Sequence, residues 1–274
     1  MGFRPELLDD VTGLLAGARE RAKALKAEAD SAARIEKVWE GLHSFMEKDW
    51  PLHILDLLDR ELAPLKALYA EGTPAIAAVE EVHRDATEQA GALRRRYPGY
   101  FEEACRSAGL ELDPESRHPA YSLAGRFFQV KVDEQMLAAR VSDHEGRLAS
   151  LPADPGAVAE VLLKERKRIF GRPFNGPRFL KLLRSQYLAV ARKGGRNDGA
   201  GVPIRHITRR LGKNCKRFRT DEFLVDLSRL VEKGPMDIDG CRLDLQQTKD
   251  TNQGMLLHGA AGRGYIGFVV FRKV

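Results

Sequence analysis

PIRHITRRLGKNCKRFRTDEFLVDLSRLVEKGP, residues 203–235, decides how the C-terminal part of this chain is read. Pro203 to Leu211 reads as a short helix ended by Gly212. KNCKRFR, 213–219, reads as a polar, basic loop. Thr220 is the expected cap of a second helix, with Asp221 and Glu222 in its first turn, where the helix dipole favours acids. Phe223, Leu224, Leu227, Leu230 and Val231 supply its apolar stripe, and Lys233-Gly234-Pro235 is a strong stop. Beyond it, Asp239-Gly240 is a hairpin signal, Arg242 to Gln246 alternates, and Gly264 to Val270 is rich in β-formers. The glycine-rich stretch from Gly259 to Gly264 would join the last two strands.

This order of helix, turn, helix and hairpin, over about residues 200 to 274, resembles the winged helix-turn-helix superfamily. The resemblance rests on element order and punctuation. It implies DNA binding, with the second helix in the major groove and the wing beside the backbone; many members mediate protein contacts instead. One feature departs from it. The helix from Thr220 to Lys233 carries Asp221, Glu222, Asp226 and Glu232 against Arg229 and Lys233, a net of −2. Phosphate contacts supply most non-specific affinity, so this helix is a poor groove reader.

Charge is segregated along the chain. Eighteen of the 45 Lys and Arg residues lie between Val161 and Arg219, where the acids are Glu165 and Asp198, a balance of +16 in a chain of +6. Such unevenness points to a polyanionic partner. Asp154-Pro155 opens a helix to about Phe170, stopped by Gly171-Arg172-Pro173. Lys164, Arg166, Lys167 and Arg168 cluster at its C-terminal end. The dipole there accounts for one or two of these cations, not for four plus Arg172. Pro177 starts another helix, with core face Phe179, Leu180, Leu183, Tyr187, Leu188 and Val190. On it Arg178, Lys181 and Arg184, at three-residue spacing, are expected to form one exposed stripe. Arg205, Arg209, Arg210, Lys213, Lys216, Arg217 and Arg219 continue the series. These fifteen residues are the candidate nucleic-acid contacts. The competing reading pairs them with acids elsewhere, since residues 1 to 160 hold 29 acids against 20 bases. An anionic membrane fits less well, because the aromatic residues here lie on the core stripe.

Upstream, residues 5 to about 110 read as helical. Leu8, Val11, Leu15, Ala18, Ala22, Leu25 and Ala29 follow alternating steps of three and four, and the pattern resumes at Trp39, Leu42 and Met46 after a phase slip near Arg34 to Glu36. Trp50-Pro51 breaks this helix. A second, about 52 to 70, carries Leu55, Leu58, Leu62, Leu65 and Leu68. A third runs from Thr73-Pro74 to Arg96, and a short fourth covers about 99 to 108. Either an intramolecular bundle or a coiled-coil dimer satisfies the apolar stripes. Near Tyr121 the period changes to that of strands, at 127 to 132 and 137 to 141, with turns at Asp133-Glu134-Gln135 and His144-Glu145-Gly146.

Chemical motifs are sparse. The seven histidines are scattered, with no HxxxH or HExxH. No GxSxG elbow or P-loop occurs. Asp244 with Lys249 is similar in outline to metal-dependent nucleases, but Gln247 stands where the second acid belongs. Cys105, Cys215 and Cys241 form no CxxC pair, which fits a reducing compartment. The N-terminus has acids where a signal peptide needs an apolar run, and no stretch approaches the ~18 apolar residues of a membrane span. The expected location is cytoplasmic.

The expectation is a mainly α chain with small β elements (α+β). It comprises a helical bundle or coiled-coil domain, 1–112; a small α+β domain with basic helices, 113–193; a linker, 194–201; and a winged-helix-like domain, 202–274. The expected function is non-enzymatic binding of nucleic acid, duplex DNA first, without cofactor or metal, with the N-terminal helices for homo-oligomerisation or protein docking. The alternative is an adaptor subunit of a larger DNA-handling or defence assembly; a metal-dependent nuclease ranks below both.

Overall fold

A computed structural model describes residues 4–69, 72–259 and 264–274. Most of the expected Gly259–Gly264 connection therefore lies outside the described residues, as do the first three residues and 70–71. Among the described residues are seven helices and two small antiparallel sheets, so the chain is mainly α with small β elements. It divides into two compact units, Met1–Arg95 and Arg96–Val274. The expected divisions at 112 and 193 fall inside the second.

The first unit holds α1 (Pro5–Glu47), α2 (Pro51–Leu68) and the start of α3 (Pro74–Ser107). Val38 and Leu42 of α1 pack with Ile54, Leu58 and Leu65 of α2 and with Val79 and Ala86 of α3. Proline at the first positions of α2 and α3 fits helix starts, where no intrahelical N–H partner is lost. The packed part of α1 begins only at Ile35. From Arg4 to Arg34, every residue whose burial is described is exposed. The apolar stripe of that half has no partner among the described residues: Leu8 is 64% exposed, Val11 55% and Leu25 57%.

α3 leaves helical geometry at Arg96 (φ −128°, ψ 20°), two residues before Pro98. The expected third and fourth helices thus meet at this break. In the second unit, Tyr97 and Phe101 stack, and Phe101 meets Tyr121. The first sheet runs in the order β1 (Ala120–Leu123), β2 (Phe128–Asp133), β3 (Ala138–Ser142), β4 (Arg147–Pro152). The side chains of Asp133 and Asp143 accept backbone N–H groups two and three residues on, which closes the two expected turns. β4 lacks a clean alternation and β1 is only four residues long, with alanine and serine on its outer face, which is why sequence patterning found only the middle pair.

α4 (Pro155–Phe170) packs on β3 and β4 and also against α7 (Thr220–Lys233). α5 (Gly176–Lys193) starts at Asn175, whose side chain accepts the Arg178 N–H at 2.9 Å. β5 (Val202–Pro203) leads into α6 (Ile204–Asn214). The second sheet has the order β5, β9 (Tyr265–Lys273), β7 (Cys241–Thr248), β6 (Asp237–Ile238), with β8 (Met255–Leu256) on the other part of β9. The β6–β7 turn has positive φ at both Asp239 (52°) and Gly240 (67°), the twist a tight hairpin needs.

One hydrophobic core joins α5, α6, α7 and this second sheet. It contains Leu183, Tyr187, Ile207, Leu227 and Phe271. The stretch 194–201, expected as a linker, is tied to α5. The Tyr187 hydroxyl donates to the Ala200 carbonyl and accepts the Gly199 N–H, both at 2.9 Å. The apolar stripe of α5 packs on α6 and α7, so α5 belongs with the C-terminal elements.

Candidate nucleic-acid interface

The acids of α7 face the cations of α4. Arg168 bonds Glu165 at 2.6 Å and Glu222 at 2.7 Å, and donates to both carboxylate oxygens of Asp221. Arg172 reaches Asp226 at 3.0 Å and Glu222 at 3.5 Å. Arg229 returns the exchange, donating to the carbonyls of Phe170 and Arg172, where α4 ends. Burial works against the Arg168 charge, but its carboxylate partners outweigh this and leave its pKa raised. Burial pushes the Asp226 carboxyl up, and Arg172 opposes that shift.

This network covers α7 on its charged side. Of its fourteen residues only Glu232 and Lys233 are exposed. The −2 charge of the helix is now explained: the acids anchor α4. Arg219, 48% exposed, lies 3.7 Å from Asp221 at the start of the same helix. The helix starts at Thr220 with Arg219 in the capping position, one residue before the expected cap.

Arg184 departs from its expected stripe. Its residue exposure is 6%. Both carboxylate oxygens of Asp198 take its N–H groups, at 2.6 and 2.5 Å, and its guanidinium lies 4.8 Å from the Phe271 ring. The cause is helical geometry. Three-residue steps drift by about 60° each on a helix of 3.6 residues per turn, so the third member reaches the core border. Arg178 and Lys181 remain exposed. Arg205 is likewise committed, to Glu145 at 2.8 Å and to the Gly254 carbonyl at 2.8 Å. Arg166 donates to the Gly109 carbonyl, and Arg210 to Gln186. The acid partners come from within the second unit.

The cations left without a described partner are Lys164, Lys167, Arg178, Lys181, Arg209, Lys213, Lys216 and Arg217, all exposed. They fall into separate groups. Lys164 and Lys167 lie on the last turns of α4, and Arg178 and Lys181 on the first turns of α5. The remaining four belong to α6 and the loop after it. Gly212 does not end α6, which continues to Asn214. That extra turn aligns Lys213 with His206, Arg209 and Arg210 on the side opposite Ile204, Ile207, Thr208 and Leu211. These four side chains, with Lys193 of α5, line a concavity of about 480 Å³. Lys193 and His206 were missed as candidates. The i, i+3, i+4, i+7 spacing of 206, 209, 210 and 213 would have found His206 had the helix been drawn through Gly212. On the other side of the loop, Lys216, Arg217 and Arg219 line a second concavity of about 650 Å³ together with Asp143, Glu145 and Asp221, so its charge is mixed.

Among the described residues no group of three or more His, Cys, Asp or Glu is arranged to hold a metal, and no helix is long and apolar enough to cross a membrane. No family model, curated protein or solved structure matches this chain.

Proposed function

We propose that this chain is a non-enzymatic nucleic-acid-binding protein that grips the phosphates of duplex DNA without reading bases. The grip is α6 with the 215–219 loop, and the N-terminal helices serve docking or oligomerisation. The observation that carries the reading is the contrast between two neighbouring helices. The acids and cations around α7 neutralise one another, whereas the outer face of α6 carries Arg209, Arg210 and Lys213 with no acid anywhere on the helix. A phosphate backbone supplies the missing counter-charge.

A winged-helix-like architecture agrees with this reading. The order α5, β5, α6, α7, β7, β9, with β9 between β5 and β7, supports reading these elements as a three-helix, three-strand winged helix. In that assignment α5 is the first helix, although it lies outside the span of about 200 to 274 over which the sequence resembles the superfamily. The covered α7 would be the recognition helix, so the usual groove-reading mode is closed.

The test is fluorescence anisotropy with duplex DNA, single strands and structured RNA at low and moderate salt. About five phosphate contacts correspond to a slope of about −4.5 in log K against log salt, and to a roughly 500-fold loss between about 50 and 200 mM. Arg209→Glu with Lys213→Glu should weaken every duplex alike. A flat salt dependence, or a double variant that binds as tightly as the parent, would sink the proposal. The exposed leucines of α1 favour a second reading, an adaptor within a larger assembly. In that case a co-purifying protein should survive nuclease treatment.

A further inference from the structure

The exposed half of α1 carries a seam and a charge pattern that together nominate its partner. The seam is Leu8, Val11, Leu15, Ala18, Ala22, Leu25 and Ala29, at coiled-coil spacing, on a helix that no described residue covers before Ile35. Two copies laid antiparallel, with residue numbers opposite each other summing to 33, pair six of the seven seam residues with one another and set Ala29 opposite Arg4. Leu8 meets Leu25 of the second copy, Val11 meets Ala22, and Leu15 meets Ala18. The alanines let the backbones approach near the two-fold axis, and leucines close both ends.

Charge selects the same arrangement. Residues 4–16 carry Arg4 against Glu6, Asp9 and Asp10, a net of −2. Residues 17–29 carry Arg19, Arg21, Lys23 and Lys26 against Glu20 and Glu28, a net of +2. In the antiparallel register each acidic segment lies along the other copy's basic segment. A parallel pair would set −2 beside −2 and +2 beside +2. Field complementarity of this kind sets partner orientation.

We infer that this half of α1 is the interface of an antiparallel homodimer. The inference deepens the reading of α1 as a docking helix and does not depend on nucleic-acid binding. Its test is run on the full chain without nucleic acid. Sedimentation velocity across micromolar concentrations should show a dimer, weakened at least roughly tenfold by Leu15→Glu with Leu25→Glu. Since α1 is exposed here, these changes leave the packed cores untouched.

Orientation is read in two further ways. In a Cys215→Ser background, oxidation should cross-link a mixture of Leu8→Cys and Leu25→Cys chains and leave Leu8→Cys alone uncrosslinked. In the antiparallel pair its two thiols stand about 25 Å apart along the helix. Reversing the acidic end with Glu6→Lys, Asp9→Lys and Asp10→Lys should weaken the dimer. Adding Arg21→Glu, Lys23→Glu and Lys26→Glu should restore it. A monomer throughout, leaving the seam to a different protein, overturns the inference. So does self-cross-linking of Leu8→Cys, or failure of the second set of reversals to rescue.

Discussion

Replacing Arg168 by Met tests whether charge holds α7 against α4. Methionine keeps much of the apolar stem and removes the guanidinium. Glu165, Asp221 and Glu222 then lose a shared cation. Their side chains are only 15%, 6% and 21% exposed, and that of Arg168 is 21% exposed. Breaking a buried pair from one side costs about 3–5 kcal/mol; partial exposure and the remaining Arg172 reduce this to about 2–4 kcal/mol. At 1.4 kcal/mol per tenfold, the amides of α7 should exchange hydrogen roughly 30- to 700-fold faster, up to the limit set by global unfolding. Hydrogen-exchange mass spectrometry reads this directly, with peptides from α2 as an internal reference. A cycle with Asp221→Asn isolates the pair. Removing both partners should cost less than the sum of the single losses, by about 1–3 kcal/mol. An effect below about 0.5 kcal/mol, or strict additivity with Asp221→Asn, would refute the lock, because either result is what an exposed surface pair gives.

The same geometry sets three further outcomes. Arg184→Ala should destabilise the second unit by about 1–3 kcal/mol in a urea melt, since it strips the half-exposed Asp198 of its partner and Phe271 of its cation, whereas Lys181→Ala should be near neutral. The hydrogen bond from Arg184, the largest influence on Asp198, holds its carboxyl below the ordinary 3.8. Its contribution to stability is therefore present above that value and lost as the pH falls through the lowered folded one, so wild type and Asp198→Asn should differ at neutral pH and converge in acid. Cys215 is exposed, Cys241 is buried, and burial pushes the Cys105 thiol up to about 12. A thiol reagent should therefore titrate one group per native chain and three in denaturant.

Much of the fold was legible because the local signals agree with the tertiary structure. Apolar spacing gave α2, α5 and α7, Asp239-Gly240 gave a hairpin, and the break at Arg96 was readable from Pro98. What stayed hidden depends on contacts distant in sequence. Arg168 and Arg172 meet partners 50 to 54 residues away, and no spacing rule reaches across that gap. The competing reading of the cations sent them to the acids of residues 1–160. The acids used were largely those of α7, whose net negative charge is odd for a groove reader. Gly212 misled for a different reason: a helix tolerates one glycine at a cost of about 1 kcal/mol, and here the packed face of α6 continues past it.

The charge block thus divides by what each cation is bonded to. Lys167 and Arg168 sit in the last turn of α4, and Asp221 and Glu222 in the first turn of α7. Each set is favoured there by its own helix dipole before any pairing, and pairing then fixes one helix end against the other. Four acids from outside the segment, Glu145, Asp221, Glu222 and Asp226, lower its balance from +16 to +12. On α6 neither mechanism covers Arg209 or Arg210. Arg209 and Arg210 are not in its last turn, and no acid stands three or four residues away to relieve them. Like charges at i, i+3 and i+4 cost a few tenths of a kcal/mol per pair. A fold that pairs its arginines so thoroughly one helix away leaves Arg209, Arg210 and Lys213 without a described acid partner, and it is on this contrast that the proposed phosphate grip rests.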